Sequence, residues 1–304
     1  MTIPMQEIPR TGALMSTTTQ SYLVGLIGDG VMPSLTPPMH EAEADAHGLR
    51  YLYRPIDLTE IGKEGKDVGE LLRAGAMLGF NAFNITHPCK QLVLEHLDEI
   101  SEEARAIGAV NTVLIRDGKF HGYNTDASGF TYALANGLPG AALDAVLQLG
   151  VGGAGSAVAY ALLASGAKEL FLVDPEPSRA TERADTLTAQ FPESTITAHT
   201  PADVPALLPR ASGVLNASPI GMHHHPGVPL DVTGLNAGHW VADVIYRPVD
   251  TELLKAARAL GCQTLDGGHM AVGQAVDAYR IITGLAPEAP RMRNHLLEML
   301  EAGL

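Results

Sequence analysis

The sequence predicts an α/β protein of two domains. Length is the first reason: 304 residues exceed what one hydrophobic core commonly organises, and each half is long enough to bury its own. Alternation is the second, because short apolar runs trade places with longer amphipathic ones along most of the chain, as in strand–helix–strand units. The third is Gly150-Val151-Gly152-Gly153-Ala154-Gly155, set between the apolar runs 145–149 and 156–163. Strand, glycine turn and helix in that order fit G-x-G-x-x-G at Gly150, Gly152 and Gly155. Such a loop brings backbone N–H groups and a helix dipole to a pyrophosphate.

A second apolar run, 169–173, ends in Asp174. That lies about twenty residues past the last glycine, where a dinucleotide site places a carboxylate for the adenosine ribose hydroxyls. A carboxylate there repels a 2′-phosphate, so the pattern predicts NAD rather than NADP; Arg179 can stack on the adenine or pair with the acid. A glycine turn that binds nothing is the alternative reading.

Composition narrows the partners. A net charge of −14 opposes wrapping nucleic acid or docking on an anionic membrane, both of which favour basic patches. Cys89 and Cys262 form no disulfide framework and no metal spacing, which predicts a reducing cytoplasm. The uncharged stretch 145–167 is long enough to span a bilayer, but its glycines favour a buried strand plus a buried helix. Residues 1–20 lack a signal-peptide core and read as a disordered lead-in, with Met15 as an alternative start.

In chain order, 22–28 reads as a buried strand stopped by glycine, followed by a loop and a helix over 39–47. Ser34 and Thr36, at alternate positions of an extended loop, point the same way and can jointly donate to one oxyanion; helix capping is the alternative. Strands over 51–56 and 80–86 flank a helix over 68–78, and a parallel sheet is expected, with function at the carboxyl ends of its strands. Thr86 and Lys90 sit at such an end, where an ammonium suits acid/base work, although a surface lysine is the bland reading. A helix over 92–106 then leads to a hairpin, 107–115 and 120–126, turning at Asp117-Gly118. Asn111 and Asp126 fall on its opposite arms. One economical arrangement sets Asp126 against Lys90 with Asn111 beside them, facing a polyhydroxy ligand; polar turn edges in solvent are the alternative.

Residues 127–267 form the predicted second domain. A helix begins at 127, another runs to 190, and strands cover 213–216 and 240–248. His223-His224-His225 reads as a surface loop, since adjacent side chains do not converge on one ion, and no metal is expected. Helices over 252–260, 271–284 and 287–302 complete the chain.

Ser34-Leu35-Thr36-Pro37, Asn84-Ile85-Thr86-His87-Pro88-Cys89-Lys90, Gly108-Ala109-Val110-Asn111-Thr112, Tyr123-Asn124-Thr125-Asp126, Gly150 to Gly155, Asn216 to Met222 and Gly267 to Gln274 occur in this order. With them the chain resembles the shikimate dehydrogenase family from about residue 22 to 284. The resemblance implies an N-terminal α/β catalytic domain completed by C-terminal helices (21–126 plus 268–304) and a Rossmann-type NAD domain between them (127–267). It implies Lys90 and Asp126 as the catalytic pair, with Thr86, Asn111 and Gln274 bonding the substrate, Ser34 and Thr36 holding its carboxylate, and Tyr246 beside it. Gly152, Gly153 and Ala154 fall on the pyrophosphate loop, Asn216, Ala217 and Ser218 on the cofactor side, and Val244, Gly267 and Met270 near the nicotinamide.

Three departures set the chain apart. Family members typically carry Ser-x-Ser where this chain has Ser34-Leu35-Thr36, and an Asn-Arg-Thr phosphate clamp where it has Asp174-Pro175-Glu176. Both changes look like the NAD-dependent quinate/shikimate dehydrogenase branch of actinobacteria. Cys89 replaces a common aromatic residue before the catalytic lysine. The implied reaction is hydride transfer interconverting quinate with 3-dehydroquinate and shikimate with 3-dehydroshikimate, within aromatic amino-acid biosynthesis or quinate metabolism. The implied ligand is a cyclic polyhydroxy carboxylate, and a homodimer is one expected assembly. The competing expectations are an NADP-linked biosynthetic shikimate or aminoshikimate dehydrogenase, and a non-catalytic sensor of the same ligands.

Overall fold

The computed structural model describes residues 21–303; the expected lead-in and the Met15 start lie outside the described residues. The first half builds a mixed sheet of order β2-β1-β3-β5-β6-β4. Its elements are β1 (Ser21–Gly28), α1 (Thr36–Ala46), β2 (Arg50–Asp57), α2 (Val68–Met77), β3 (Ala82–Ile85), α3 (Cys89–Leu92), β4 (Glu99–Ile100), α4 (Glu102–Ile107), β5 (Thr112–Arg116) and β6 (Lys119–Tyr123). Ile27, Leu72, Phe83 and Ile85 are among the residues that form one of its cores.

Two expectations are corrected here. The sheet is not wholly parallel: Asp117 (φ 52°) and Gly118 (φ 74°) fold a tight hairpin that makes β5 antiparallel to β6, and β5 also runs antiparallel to β3. No single helix covers 92–106. The apolar spacing there is helical, but residues 99–100 pair with β6, and Ser101 starts a new helix by accepting the Ala104 N–H at 3.2 Å.

From α5 (Asp126–Gly137) the chain enters a second, all-parallel sheet. It contains β7 (Ala145–Leu149), α6 (Gly153–Ala164), β8 (Glu169–Val173), α7 (Pro177–Gln190), β9 (Thr195–His199), α8 (Val204–Leu207), β10 (Gly213–Asn216), β11 (Trp240–Asp243), α9 (Glu252–Ala259) and β12 (Gln263–Leu265). The order β12-β11-β10-β7-β8-β9, read from its far edge, is the 3-2-1-4-5-6 winding of dinucleotide folds. Its direction reverses between β7 and β10, which opens a crevice at the strands' carboxyl ends.

The chain then returns to the first sheet. α10 (Gly267–Thr283) crosses α5 so closely that a Cβ on Gly129 would stand 2.8 Å from the Gln274 backbone nitrogen. α11 (Ala289–Glu301) is held by Arg291, which donates twice at 2.7 Å to the buried carboxylate of Glu43 in α1. Arg293 also clamps Asp266, whose Oδ1 caps α10 through the Gly268 N–H at 2.9 Å.

Candidate active site

Lys90 and Asp126 come from different elements and meet. Lys90 lies in the single turn of α3 after β3, and Asp126 is the first residue of α5 after β6. Lys90 Nζ donates to Asp126 Oδ2 at 2.7 Å, and Asn111 Nδ2 donates to Asp126 Oδ1 at 3.0 Å. The carboxylate is almost fully buried while the lysine side chain keeps 18% of its surface open. One face of the ammonium is thus fixed and the other is available to a ligand. Thr86 closes β3 beside them, where Gly28 makes room: a Cβ there would stand 2.3 Å from Thr86 Cγ2.

Lys90 and Thr86 line one wall of a cleft of about 530 Å³; Gly152, Gly153, Ala154 and Arg179 line the other. A Cβ on Gly153 would stand 3.9 Å from Lys90 Cδ, so the glycine loop and the lysine share one space. The loop is shaped from within. Gly150 adopts φ +91°, Gly155 packs so that a Cβ would meet Gly150 O at 2.3 Å, and Gln148 Nε2 donates to the carbonyls of Gly150 (2.9 Å) and Gly155 (2.7 Å). At the start of α6, Gly152 has no side-chain cap and nothing within 4 Å of where its Cβ would stand. Free helix N–H groups beside open space fit a pyrophosphate.

Of the two roles expected for Arg179, the structure shows the pairing with Asp174. Asp174 is buried, with Oδ2 accepting the Val151 N–H (3.1 Å) and Oδ1 accepting the Glu176 N–H (3.0 Å) and Arg179 Nη1 (3.2 Å). Its first task is to hold the glycine turn to the next loop. Asn216 is likewise fully buried and spends its amide on Ile220 O, Asp243 Oδ1 and the Ser218 N–H and hydroxyl, so it shapes the Ala217–Ser218 loop from behind. That loop packs on Gly150, whose absent Cβ leaves space against the Ser218 nitrogen. Gly267 lets α10 start against the Val244 carbonyl, 2.4 Å from where a Cβ would be. Met270 is buried in the core shared by α5 and α6.

On the substrate side, Ser34 and Thr36 do not lie in extended backbone. Leu35 is helical (φ −86°, ψ −6°) and Thr36 is already the first residue of α1, because Pro37 pre-sets helical φ in the first turn. The N-cap position is Leu35, with no side-chain bond, but Ser34 Oγ accepts the Thr36 N–H at 3.3 Å, so the capping alternative holds for Ser34. Beside Ser34 stands Tyr246, whose hydroxyl is pushed up in pKa by burial. Gln274 sits in α10 with its Cγ packed toward Gly129. Sequence reasoning missed Arg183 and Thr186, which line the cleft with Arg179 along one face of α7. Their i, i+4 and i+7 spacing was readable as a single stripe. Among the described residues no cluster of three or more His, Cys, Asp or Glu could hold a metal ion, and no helix is long and apolar enough to cross a membrane.

Residues 26–113 match the family model for the shikimate dehydrogenase substrate binding domain. A shikimate dehydrogenase (NADP(+)) of Pseudarthrobacter chlorophenolicus is 65% identical over 288 residues, covering 95% of this chain and 98% of that protein. The chain belongs to the shikimate dehydrogenase family. Within it, a quinate/shikimate dehydrogenase (NAD(+)) of Corynebacterium glutamicum is 50% identical over 280 residues, covering 92% of this chain and 99% of the relative. The solved quinate dehydrogenase from C. glutamicum in complex with NAD superposes with a TM-score of 0.87 at 49% identity, over 91% of this chain and 99% of that one.

Proposed function

We propose that this member of the family is an NAD-dependent quinate/shikimate dehydrogenase, with residues 127–267 as the cofactor domain and 21–126 plus 268–304 as the substrate domain. The observation that carries the cofactor assignment is Asp174, a buried carboxylate fixed to the glycine turn at the end of β8, with Glu176 following it. Two acids there disfavour a 2′-phosphate, and Oδ2 keeps a lone pair for a ribose hydroxyl. Gly152, Gly153 and Ala154 would hold the pyrophosphate at the start of α6. When bound, the dinucleotide supplies the hydride acceptor or donor.

The chain's own residues handle the proton and the pose. Lys90 Nζ, as the neutral amine, takes the proton of the substrate hydroxyl during oxidation and, as the ammonium, returns it during reduction. Asp126 aims the ammonium and accepts from a neighbouring hydroxyl, while Thr86, Asn111 and Gln274 bond the ring hydroxyls. Ser34, Thr36 and Tyr246 bind the carboxylate near the N-terminus of α1. Lys90→Ala or Asp126→Asn is expected to cut kcat by about a hundredfold or more while cofactor affinity stays within about twofold. Near-normal kcat in either variant would remove the pair from the chemistry.

A second reading, an NADP-dependent shikimate dehydrogenase, is favoured by the name of the 65% identical relative and by Arg179 and Arg183, both lining the cleft. Initial rates with NAD and NADP crossed with quinate and shikimate decide between them. The proposal requires kcat/KM for NAD to exceed that for NADP by about tenfold. The reverse ratio would give the second reading.

A further inference from the structure

Behind the Lys90–Asp126 pair runs a line of buried polar side chains that do not line the cleft. Tyr53 on β2, Asn84 on β3 and Thr112 on β5 lie on one face of the first sheet. Register places Tyr53 opposite Val24, Asn84 opposite Leu26, and Asn84 opposite Thr112. All three are buried. Tyr53 Oη donates to Asn84 Oδ1 (2.5 Å), Asn84 Nδ2 to Thr112 Oγ1 (2.9 Å), Thr112 Oγ1 to Asn111 Oδ1 (3.0 Å) and Asn111 Nδ2 to Asp126 Oδ1 (3.0 Å).

The direction of this chain is forced by one backbone group. The Thr125 N–H can only donate, and it donates to Asn111 Oδ1 at 2.8 Å. Asn111 must therefore turn its Nδ2 to Asp126. The Thr112 hydroxyl, facing Asn111 Oδ1, must donate to it and can then only accept from Asn84. Asn84 accordingly presents Nδ2 to Thr112 and to the Asn111 carbonyl (3.3 Å), which leaves its Oδ1 for the tyrosine hydroxyl. Every proton points toward the Asp126 carboxylate, and each bond polarises the next.

We infer that Tyr53, Asn84 and Thr112 are positioning residues for the Lys90–Asp126 pair: a one-way hydrogen-bond chain that locks Asn111, and through it the Asp126 carboxylate, in the orientation that aims Lys90. The inference rests on the reading of Lys90 and Asp126 given above. A neutral core could fill the same space with apolar side chains, and a partly satisfied polar one costs more than none. Retaining a full chain of buried donors is consistent with a demand for orientation rather than for stability.

The test compares Thr112→Val, Thr112→Ser and Tyr53→Phe with the wild-type protein. Thr112→Val keeps shape but removes the relay, whereas Thr112→Ser keeps the hydroxyl; Tyr53→Phe removes one terminal donor and serves if the valine variant does not fold. Expected are a fall in kcat of about tenfold for Thr112→Val, a smaller fall for Tyr53→Phe, and restoration of most of kcat in Thr112→Ser. The NADH dissociation constant, read by fluorescence without substrate, should stay within about twofold in all three. A readout independent of turnover is the rate of Lys90 acetylation by acetic anhydride, followed by peptide mass spectrometry. It should rise when the relay is broken and not when serine preserves it. Unchanged kcat and unchanged Lys90 acetylation in Thr112→Val and Tyr53→Phe, or a serine variant as impaired as the valine one, overturns the inference. Failure of the underlying reading looks different: Lys90→Ala would then retain turnover, while the acetylation arm would still report whether the chain orients Lys90.

Discussion

Asp266 and Arg293 bind each other at two points, 3.1 and 3.0 Å, and so fasten α11 to the first turn of α10. Burial alone would raise the Asp266 pKa, but His269 and Arg293 hold it well below the usual carboxylate range. Arg293 is the firmer partner, because His269 Nδ1 approaches to 3.2 Å without hydrogen-bonding geometry. A depressed carboxyl pKa adds stability above its unfolded value, about pH 4, and loses it as pH falls further. Arg293→Met should therefore cost about 2 kcal/mol at pH 7, a few degrees in Tm, with the gap to wild type narrowing progressively as pH falls below about 4. A gap independent of pH in thermal melts would contradict this.

Gly155 and Gly153 differ in what a methyl group would meet. At Gly155 a Cβ strikes the Gly150 carbonyl at 2.3 Å, a backbone atom that cannot move aside; at Gly153 it makes an ordinary 3.9 Å contact with Lys90 Cδ. Gly155→Ala should weaken dinucleotide binding by more than about tenfold, and Gly153→Ala by less than about threefold. Calorimetric titration of both variants checks the order.

Asp243 behaves in the opposite sense to Asp266. Burial raises its pKa to about 6, against hydrogen bonds from the Ile245 N–H, Thr251 and Asn216. The folded state then binds a proton that the unfolded state releases, so this group's contribution is complete below about pH 4, declines as pH rises to about 6, and is level beyond. Asp243→Asn can satisfy the same partners without charge, and should be at least as stable as wild type at pH 7 while losing that slope. Denaturant melts at pH 5 and pH 7.5 would show it.

Arg183 Nη1 donates to Ile107 O at 3.2 Å and Gln190 Nε2 donates to Ala106 O at 3.0 Å, tying α7 to the carboxyl end of α4. A cation suits those carbonyls. Removing it in Arg183→Ala should raise the dinucleotide KM by roughly threefold to tenfold and leave kcat at saturation within about twofold. A kcat loss equal to the KM change would place Arg183 in the chemistry instead.

What could be read from residues alone was whatever short-range rules decide. The Asp117-Gly118 turn, the glycine loop at 150–155 and the placement of Lys90 at a strand end all rest on local chemistry, and the structure has each. The stretch 92–106 misleads because Leu92, Val93, Leu97, Ile100 and Ala104 satisfy a helical stripe, while its actual break is set by pairing with β6, a partner about twenty residues away. Asp174 was legible as an acid at the right distance, open to Arg179, but not as one buried and bonded to the Val151 and Glu176 N–H groups, since burial depends on how two loops close. The Tyr53–Asn84–Thr112 line was invisible for a related reason: its members belong to three strands, and only sheet register sets them on one face.

Gln148 gives the glycine loop a property that bears on heat rather than shape. Its side chain, rooted in a strand, grips the carbonyls on both sides of the turn. Little conformational freedom is left for a dinucleotide to remove, so association should show a small entropic penalty and a heat-capacity change set mainly by the surface that disappears from water. Gln148→Leu, deaf to those carbonyls, would transfer the ordering to the moment of binding.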